Sequence, residues 1–176
     1  MATTKWKIDP THSEIGFKVK HMMFTYVSGK FETFEGSAET DSAFVSDGQF
    51  EFSADADSIN TSSTDRDTHL KSGDFFDVAN HPSIKFKSTS YSKAADGEHI
   101  LKGDLTLRGV TKPVTLNVEF HGTANDPWGN EKAGFGISGK INRKEWGLNW
   151  NSTLEAGGVL VGEDIKLNIE LQFVKQ

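Results

Sequence analysis

The chain has 176 residues, with 19 Lys and Arg against 25 Asp and Glu for a formal charge of −6, and no cysteine. Its length suits one domain, residues 1–176, with a single substantial core. The acidic balance and scattered lysines argue against nucleic acid, and the missing cysteines exclude disulfides, CxxC redox chemistry and thiolate zinc.

The opening residues MATTKWKID carry no apolar leader, and no apolar run approaches the ~20 residues of a membrane span. A cytoplasmic protein that does not span a membrane is expected, or a periplasmic one if a leader has been removed. Beyond that point the dominant period is two. Ile15, Phe17, Val19 and His21 share one parity, with Gly16, Lys18 and Lys20 on the other. Around Phe31 and Phe34 the parity is lost midway, as in a bulged strand. Phe50, Phe52, Ala54 and Ala56 then alternate with Gln49, Glu51, Ser53 and Asp55.

The next stretch, TSSTDRDTHLKSGDFFDVANHP at 61–82, is the one place with convincing helix signals. Thr64 can act as N-cap, Asp65 and Asp67 suit the positive end of the helix dipole, and Gly73 is a fitting terminator. DFFDV reads as a short turn carrying Phe75 and Phe76 inward. Alternation then resumes at Ile84 and Phe86, at Leu101, Gly103, Leu105 and Leu107, and at Val114, Leu116, Val118 and Phe120. It continues at Phe135, Ile137, Gly139 and Ile141, and ends most cleanly at Ile165, Leu167, Ile169, Leu171 and Phe173.

That makes about eight strands, each apolar on one face. Strict alternation implies antiparallel pairing, and KAADGE, RGVTKP and NDPWGN supply turn residues between strands. A sandwich or a barrel would each protect the sheet edges. An all-β, antiparallel barrel of about eight strands is expected, with one short helix at its mouth.

Catalytic and metal readings of 61–82 are weak. Asp65 and Asp67 sit beside Arg66 at a helix start, which favours their charged form, whereas a glycosidase acid needs a raised pKa. The six histidines show no H-x-H or H-x-x-x-H spacing, and there is no GxSxG elbow. GFGISGK at 134–140 matches a phosphate-loop pattern but lies within an alternating strand, and DADSIN at 55–60 lacks calcium-loop ligands. No cofactor and no metal are expected. What stands out is the interior, with thirteen Phe and with Gly103, Gly139, Ala54 and Ala56 on the same faces. It could be packed solid, or it could hold an elongated apolar ligand.

The chain resembles the YceI-like (polyisoprenoid-binding) family nearly end to end, from Trp6 to Phe173. The resemblance rests on WKIDPTHSEIGFKVKHM, RDTHLKSGDFFDVANHPSIKFKST, LKGDLTLRGVTKPVTLNVEF and NRKEWGLNW. It implies an extended lipocalin-like barrel, often dimeric, whose apolar tunnel holds a polyprenyl phosphate, an isoprenoid quinone or a fatty-acid derivative. It also implies a role in stress or quinone metabolism. On that basis Phe17, Val19, His21, Phe52, Phe75, Phe76, Phe86, Leu105 and Leu107 are expected in the tunnel wall. Arg66, His69 and Lys71 are expected at the mouth, where Arg66 best matches a phosphate.

His21 is either a polar contact for the ligand or a histidine satisfied by a backbone carbonyl, and Arg143 and Trp146 could equally form a structural corner. Non-enzymatic carriage is the leading expectation. The alternatives are a head-group enzyme using Arg66, Asp67 and His69, and a filled barrel that binds a protein partner.

Overall fold

The computed structural model describes residues 3–155 and 157–176. In chain order it contains β1 (Thr4–Ile8), β2 (Glu14–His21), β3 (Thr25–Phe31), β4 (Phe34–Thr40), β5 (Gln49–Asp55), β6 (Ile59–Asn60) and α1 (Thr64–Lys71). These are followed by β7 (Ser83–Lys93), β8 (His99–Leu107), β9 (Val110–Asn125), β10 (Glu131–Asn142) and β11 (Val161–Lys175).

All strand pairings are antiparallel, and the order β1-β4-β5-β7-β8-β9-β10-β11 returns to β1, closing an eight-stranded barrel. The other three strands continue ring strands that bend. Along β11, Trp6 and Ile8 of β1 oppose Lys175 and Phe173, and Ile15 and Val19 of β2 oppose Ile169 and Ile165. The bend between β1 and β2 is the 3-10 turn Pro10–His12, where the Asp9 carboxylate accepts from the Thr11 N–H and proline pre-sets the first φ. β3 runs into β4 across residues 32–33, and β5 into β6 across the 3-10 turn Ala56–Ser58.

The lost parity near Phe31 and Phe34 is therefore a break between strands with different partners, not a bulge within one. β1 escapes the alternation pattern because it is short and buries only Trp6. Of RGVTKP only Arg108 and Gly109 form the turn, because β9 already starts at Val110.

Beyond β6 the ring is not continued by strand pairing to β7 among the described residues. α1 packs against β6 there, followed by the turn that carries Phe75 and Phe76. The N-cap is Ser63, whose Oγ accepts from the Arg66 N–H, not Thr64. Asp67 is free to reach back to Thr61 because the cap lies one residue earlier than expected. The helix ends at Ser72, whose Oγ donates to the His69 carbonyl at 2.6 Å, so Gly73 is not the terminator.

One end of the barrel is solid. Residues 41–48, between β4 and β5, fold inward and bury Phe44 completely. Its ring lies 5.4 Å from Trp6, 5.0 Å from Phe135 and 5.6 Å from Phe50, while Phe173 packs edge-on against Phe135 at 5.6 Å. Edge-to-face and offset arrangements of this kind add to the area term for each ring. Two backbone carbonyls of the loop are secured from the barrel: Tyr91 Oη donates to Phe44 O and His99 Nε2 to Val45 O, both at 2.8 Å. The Phe44 N–H donates to Thr40 Oγ1 at 3.0 Å. Ala43 and Phe44 have φ of 53° and 66°, a left-handed conformation that costs about 1 kcal/mol per non-glycine residue. Burying the Phe44 ring, worth about 1.5–3 kcal/mol, is of the same size as the combined cost at the two residues, and the ring contacts and loop hydrogen bonds add to it.

Gly103 and Gly139 do not leave the interior volume that their inward parity suggests. A Cβ at Gly103 would lie 2.4 Å from Phe86 Cζ, and one at Gly139 would lie 2.6 Å from Leu116 Cδ2. Neighbouring side chains already occupy both spaces.

Candidate functional site

Above the aromatic floor the barrel is hollow. A cavity of about 330 Å³ runs from Phe50 and Phe173 to the end carrying α1. That volume lies at the lower end of the range for small-molecule sites. On β11 the lining takes every second residue, Ile165, Leu167, Ile169, Leu171 and Phe173. At ~3.4 Å per residue and a barrel tilt of about 40°, this stretch corresponds to a depth of roughly 20 Å.

The nine residues expected in the tunnel wall all line this space. Phe17, Val19 and His21 come from β2, Phe52 from β5, Phe86 from β7, and Leu105 and Leu107 from β8. Phe75 and Phe76 enter from the turn after α1, Phe76 edge-on to Phe31 at 5.9 Å. His21 forms no side-chain hydrogen bond among the described residues, so a backbone carbonyl does not satisfy it. Ala54 lines the cavity, whereas Ala56 is buried against the protein's own atoms.

At the mouth, Arg66 and His69 line the cavity and Lys71 does not. The helix turns Lys71 outward, where Nζ lies 3.5 Å from Asp57. Arg66 Nε donates to Thr61 Oγ1 at 2.8 Å and Nη2 to Thr61 O at 2.6 Å, which leaves three of its five N–H groups uncommitted. Asp67 accepts from the Thr61 N–H at 2.9 Å and from Thr61 Oγ1 at 2.5 Å, and so anchors the helix start. His69 Nε2 is 2.9 Å from Asp74 Oδ2, and its ring sits edge-on to Trp150 at 4.6 Å and to Phe75 at 5.1 Å.

Arg143 is both a corner and part of the lining. It is only 3% exposed, with Nε donating to Gly162 O at 2.8 Å and Nη1 to Leu148 O at 2.5 Å. Nη2 reaches Val161 O at a long 3.4 Å, and the guanidinium lies 6.0 Å from the Phe75 ring. Carbonyls and an aromatic face thus solvate a buried cation, and among the described residues no carboxylate forms an ion pair with it. Burial presses its pKa below the usual arginine value, with the Glu163 charge acting the other way. Trp146 is a structural corner only. It is buried, donates from Nε1 to Leu105 O at 2.9 Å and stays out of the lining.

The charged and titratable lining is one-sided. His21, Arg66, His69 and Arg143 reach the cavity, with the exposed Lys20 at its rim, against Glu51 alone among the carboxylates. This basic lining belongs to a chain of formal charge −6. Trp150, Leu160, Val161 and Val27 complete the mouth and were missed, because the first three follow the 3-10 turn Arg143–Trp146 in a stretch without periodicity. No helix of the described residues is long and apolar enough to cross a membrane.

The model of the YceI-like domain family matches residues 6–173. A UPF0312 protein of Staphylococcus aureus (strain USA300) is 38% identical over 173 residues, covering 97% of each chain. The solved structure of the Campylobacter jejuni YCEI protein is 32% identical, covers 96% of both chains and has a TM-score of 0.76. Two more distant structures share the fold. Burkholderia cenocepacia BcnA is 19% identical, covers 94% of this chain and 98% of its own, and has a TM-score of 0.78. A polyisoprenoid binding domain from Saccharophagus degradans is 14% identical, covers 97% and 98%, and has a TM-score of 0.67.

Proposed function

The chain belongs to the YceI-like domain family, and from that premise we propose that it binds and carries an isoprenoid lipid without transforming it. The observation that carries this reading is the hollow itself: an almost wholly apolar tunnel with a closed floor and a cationic mouth. An isoprenoid tail offers no hydrogen bonds, so its binding has to come from apolar area and the exclusion of water. Burying about ten methylene-sized groups is worth roughly 8 kcal/mol before association costs of several kcal/mol. Micromolar affinity needs about that much net, so the head group has to add to the tail.

Arg143 and Arg66 are the groups for that task. Arg143 stays cationic inside the wall, and Arg66 has N–H groups left for an anion. A phosphate accepts the guanidinium fork well, and so does a carboxylate. A fatty acid is therefore the second reading, supported by the same buried guanidinium. A head-group enzyme is disfavoured because its candidate tools are already engaged. Asp67 is taken up by Thr61, and His69 faces Asp74.

Extraction of the purified protein into organic solvent, followed by mass analysis, tests the reading. It should release a prenyl phosphate or isoprenoid quinone in stoichiometric amount. A fatty acid would favour the second reading. No lipid, together with no uptake of prenyl phosphate or quinone, would sink both. Turnover of a prenyl diphosphate that disappears in His69→Ala would establish an enzyme instead.

A further inference from the structure

The hairpin turn between β2 and β3 is occupied by Met22, Met23 and Phe24, which are 40%, 59% and 83% exposed. Met22 and Met23 have φ of 52° and 63°, so two residues with bulky side chains hold the left-handed turn positions that sterics assign to Asn and Gly. Met23 lies over Gly158, where an added Cβ would come 2.4 Å from its Sδ, yet it stays 59% exposed and Phe24 83%, so contacts within the fold cover only part of this apolar tip.

The turn lies on the rim of the tunnel. His21 at its base lines the cavity, and the Met22 N–H donates to the carbonyl of Leu160, another lining residue, at 2.8 Å.

The outer face beside this tip is basic. Lys166 Nζ donates to Tyr26 Oη at 2.9 Å and lies 4.7 Å from its ring, with Lys18 Nζ 5.4 Å from the same ring. Lys20 stands opposite Tyr26 in the β2–β3 register. Among the described residues none of Lys18, Lys20 and Lys166 is in an ion pair, because the nearby carboxylates are already matched: Asp164 with Lys140 at 3.7 Å and Glu163 with Lys144 at 2.9 Å. The hydrogen bond from Lys166, with smaller contributions from the charges of Lys166, Lys20 and Lys18, holds the Tyr26 phenol below its usual pKa.

We propose that this hairpin end docks on the surface of an anionic lipid bilayer and sets the tunnel mouth against the membrane. Met23 and Phe24 enter the acyl boundary, Tyr26 sits at head-group level, and the lysines meet lipid phosphates. The chain's formal charge of −6 repels the remainder of the molecule from the same surface, so the field selects this one end. A tail can then pass between bilayer and tunnel without crossing water. The docking does not depend on which lipid the tunnel carries.

Co-sedimentation with phosphatidylglycerol/phosphatidylcholine vesicles tests it. The intact protein should bind these vesicles, bind pure phosphatidylcholine at least tenfold more weakly, and be released by raised salt. The double variant Met23→Ser/Phe24→Ser should lose binding tenfold or more, as should Lys18→Glu/Lys20→Glu, with unchanged circular dichroism. Trp128 is 82% exposed in the β9–β10 turn at the opposite end, and Trp128→Ser should bind like the parent. The proposal is overturned by the absence of binding to anionic vesicles. It is equally overturned by full binding in Met23→Ser/Phe24→Ser, by loss of binding in Trp128→Ser, or by a dimer in solution that Met23→Ser/Phe24→Ser dissociates while vesicles are ignored.

Discussion

The two ends of this barrel are built from the same alternating strands and reach opposite outcomes. At one end Trp6, Phe44, Phe135 and Phe173 interlock until no space is left. At the other, Phe17, Val19, Leu167 and Phe76 face one another across a void. The decisive difference is a loop. Residues 41–48 fold inward and supply Phe44 to the middle of one end, whereas α1 and the turn after it lie across the other as a lip. Inward parity states which residues face the axis. Whether they meet there depends on a segment that has no parity at all.

The largest expected effect breaks the closed end. Phe44→Ala should cost about 3–5 kcal/mol in urea unfolding, because the ring is completely buried and its loop carbonyls are tied to Tyr91 and His99. Leu167→Ala, on the tunnel wall, should cost well under half of that, since one side of Leu167 already faces empty volume. Equal costs at the two positions would mean that the ends do not differ.

The next contrast fills the hollow. Val19→Trp should leave the unfolding midpoint unchanged or raised, and should lower lipid uptake by tenfold or more. Uptake equal to that of the parent, measured with the same prenyl phosphate, would show that lipid sits elsewhere.

Arg143 sharpens the comparison further, since among the described residues no other Lys or Arg is buried, at the floor or elsewhere. Arg143→Lys keeps the charge but loses the fork that spans Gly162, Leu148 and Val161 carbonyls. Affinity for a prenyl phosphate should fall about tenfold to a hundredfold, roughly 1.5–3 kcal/mol for a charged hydrogen bond, while affinity for the uncharged prenyl alcohol should change little. A parallel loss for both ligands would reduce Arg143 to a structural corner.

The smallest effect is in acid. Burial raises the pKa of Asp47, but hydrogen bonds from Ser42, the Asp41 N–H and Thr40 more than offset it, so the carboxyl lies below its usual value. A lowered folded pKa stabilises above the unfolded value near 3.9 and loses that contribution as pH falls through the folded value. Asp47→Asn should therefore flatten the acid limb of the stability curve below about pH 4. An unchanged acid limb would show that the loop is held by its aromatic packing alone.

The strand part of the wall was legible in the sequence because a period of two encodes faces directly: Phe17, Val19, His21, Phe52, Phe86, Leu105 and Leu107 all reach the cavity, and Phe75 and Phe76 join them from a turn. The bends were not. β1 buries one side chain and β6 is two residues long, too little for periodicity to register. Phe44 sits at a positive φ inside a polar loop, where nothing local marks it as core. Gly103 and Gly139 were read as space because inward glycine leaves volume only when no neighbour leans over it, and Phe86 and Leu116 do lean over them. Lys71 follows His69 by two residues on α1, which takes it off the face that meets the tunnel.

The most direct measurement is a titration with prenyl phosphates of increasing length. A tunnel open at one end and stopped by Phe50 and Phe173 predicts tighter binding with each added isoprene unit, then a plateau once the tail meets the rings, with the plateau moving to longer chains in Phe44→Ala. Affinity that ignores chain length from the shortest ligand onward would contradict it.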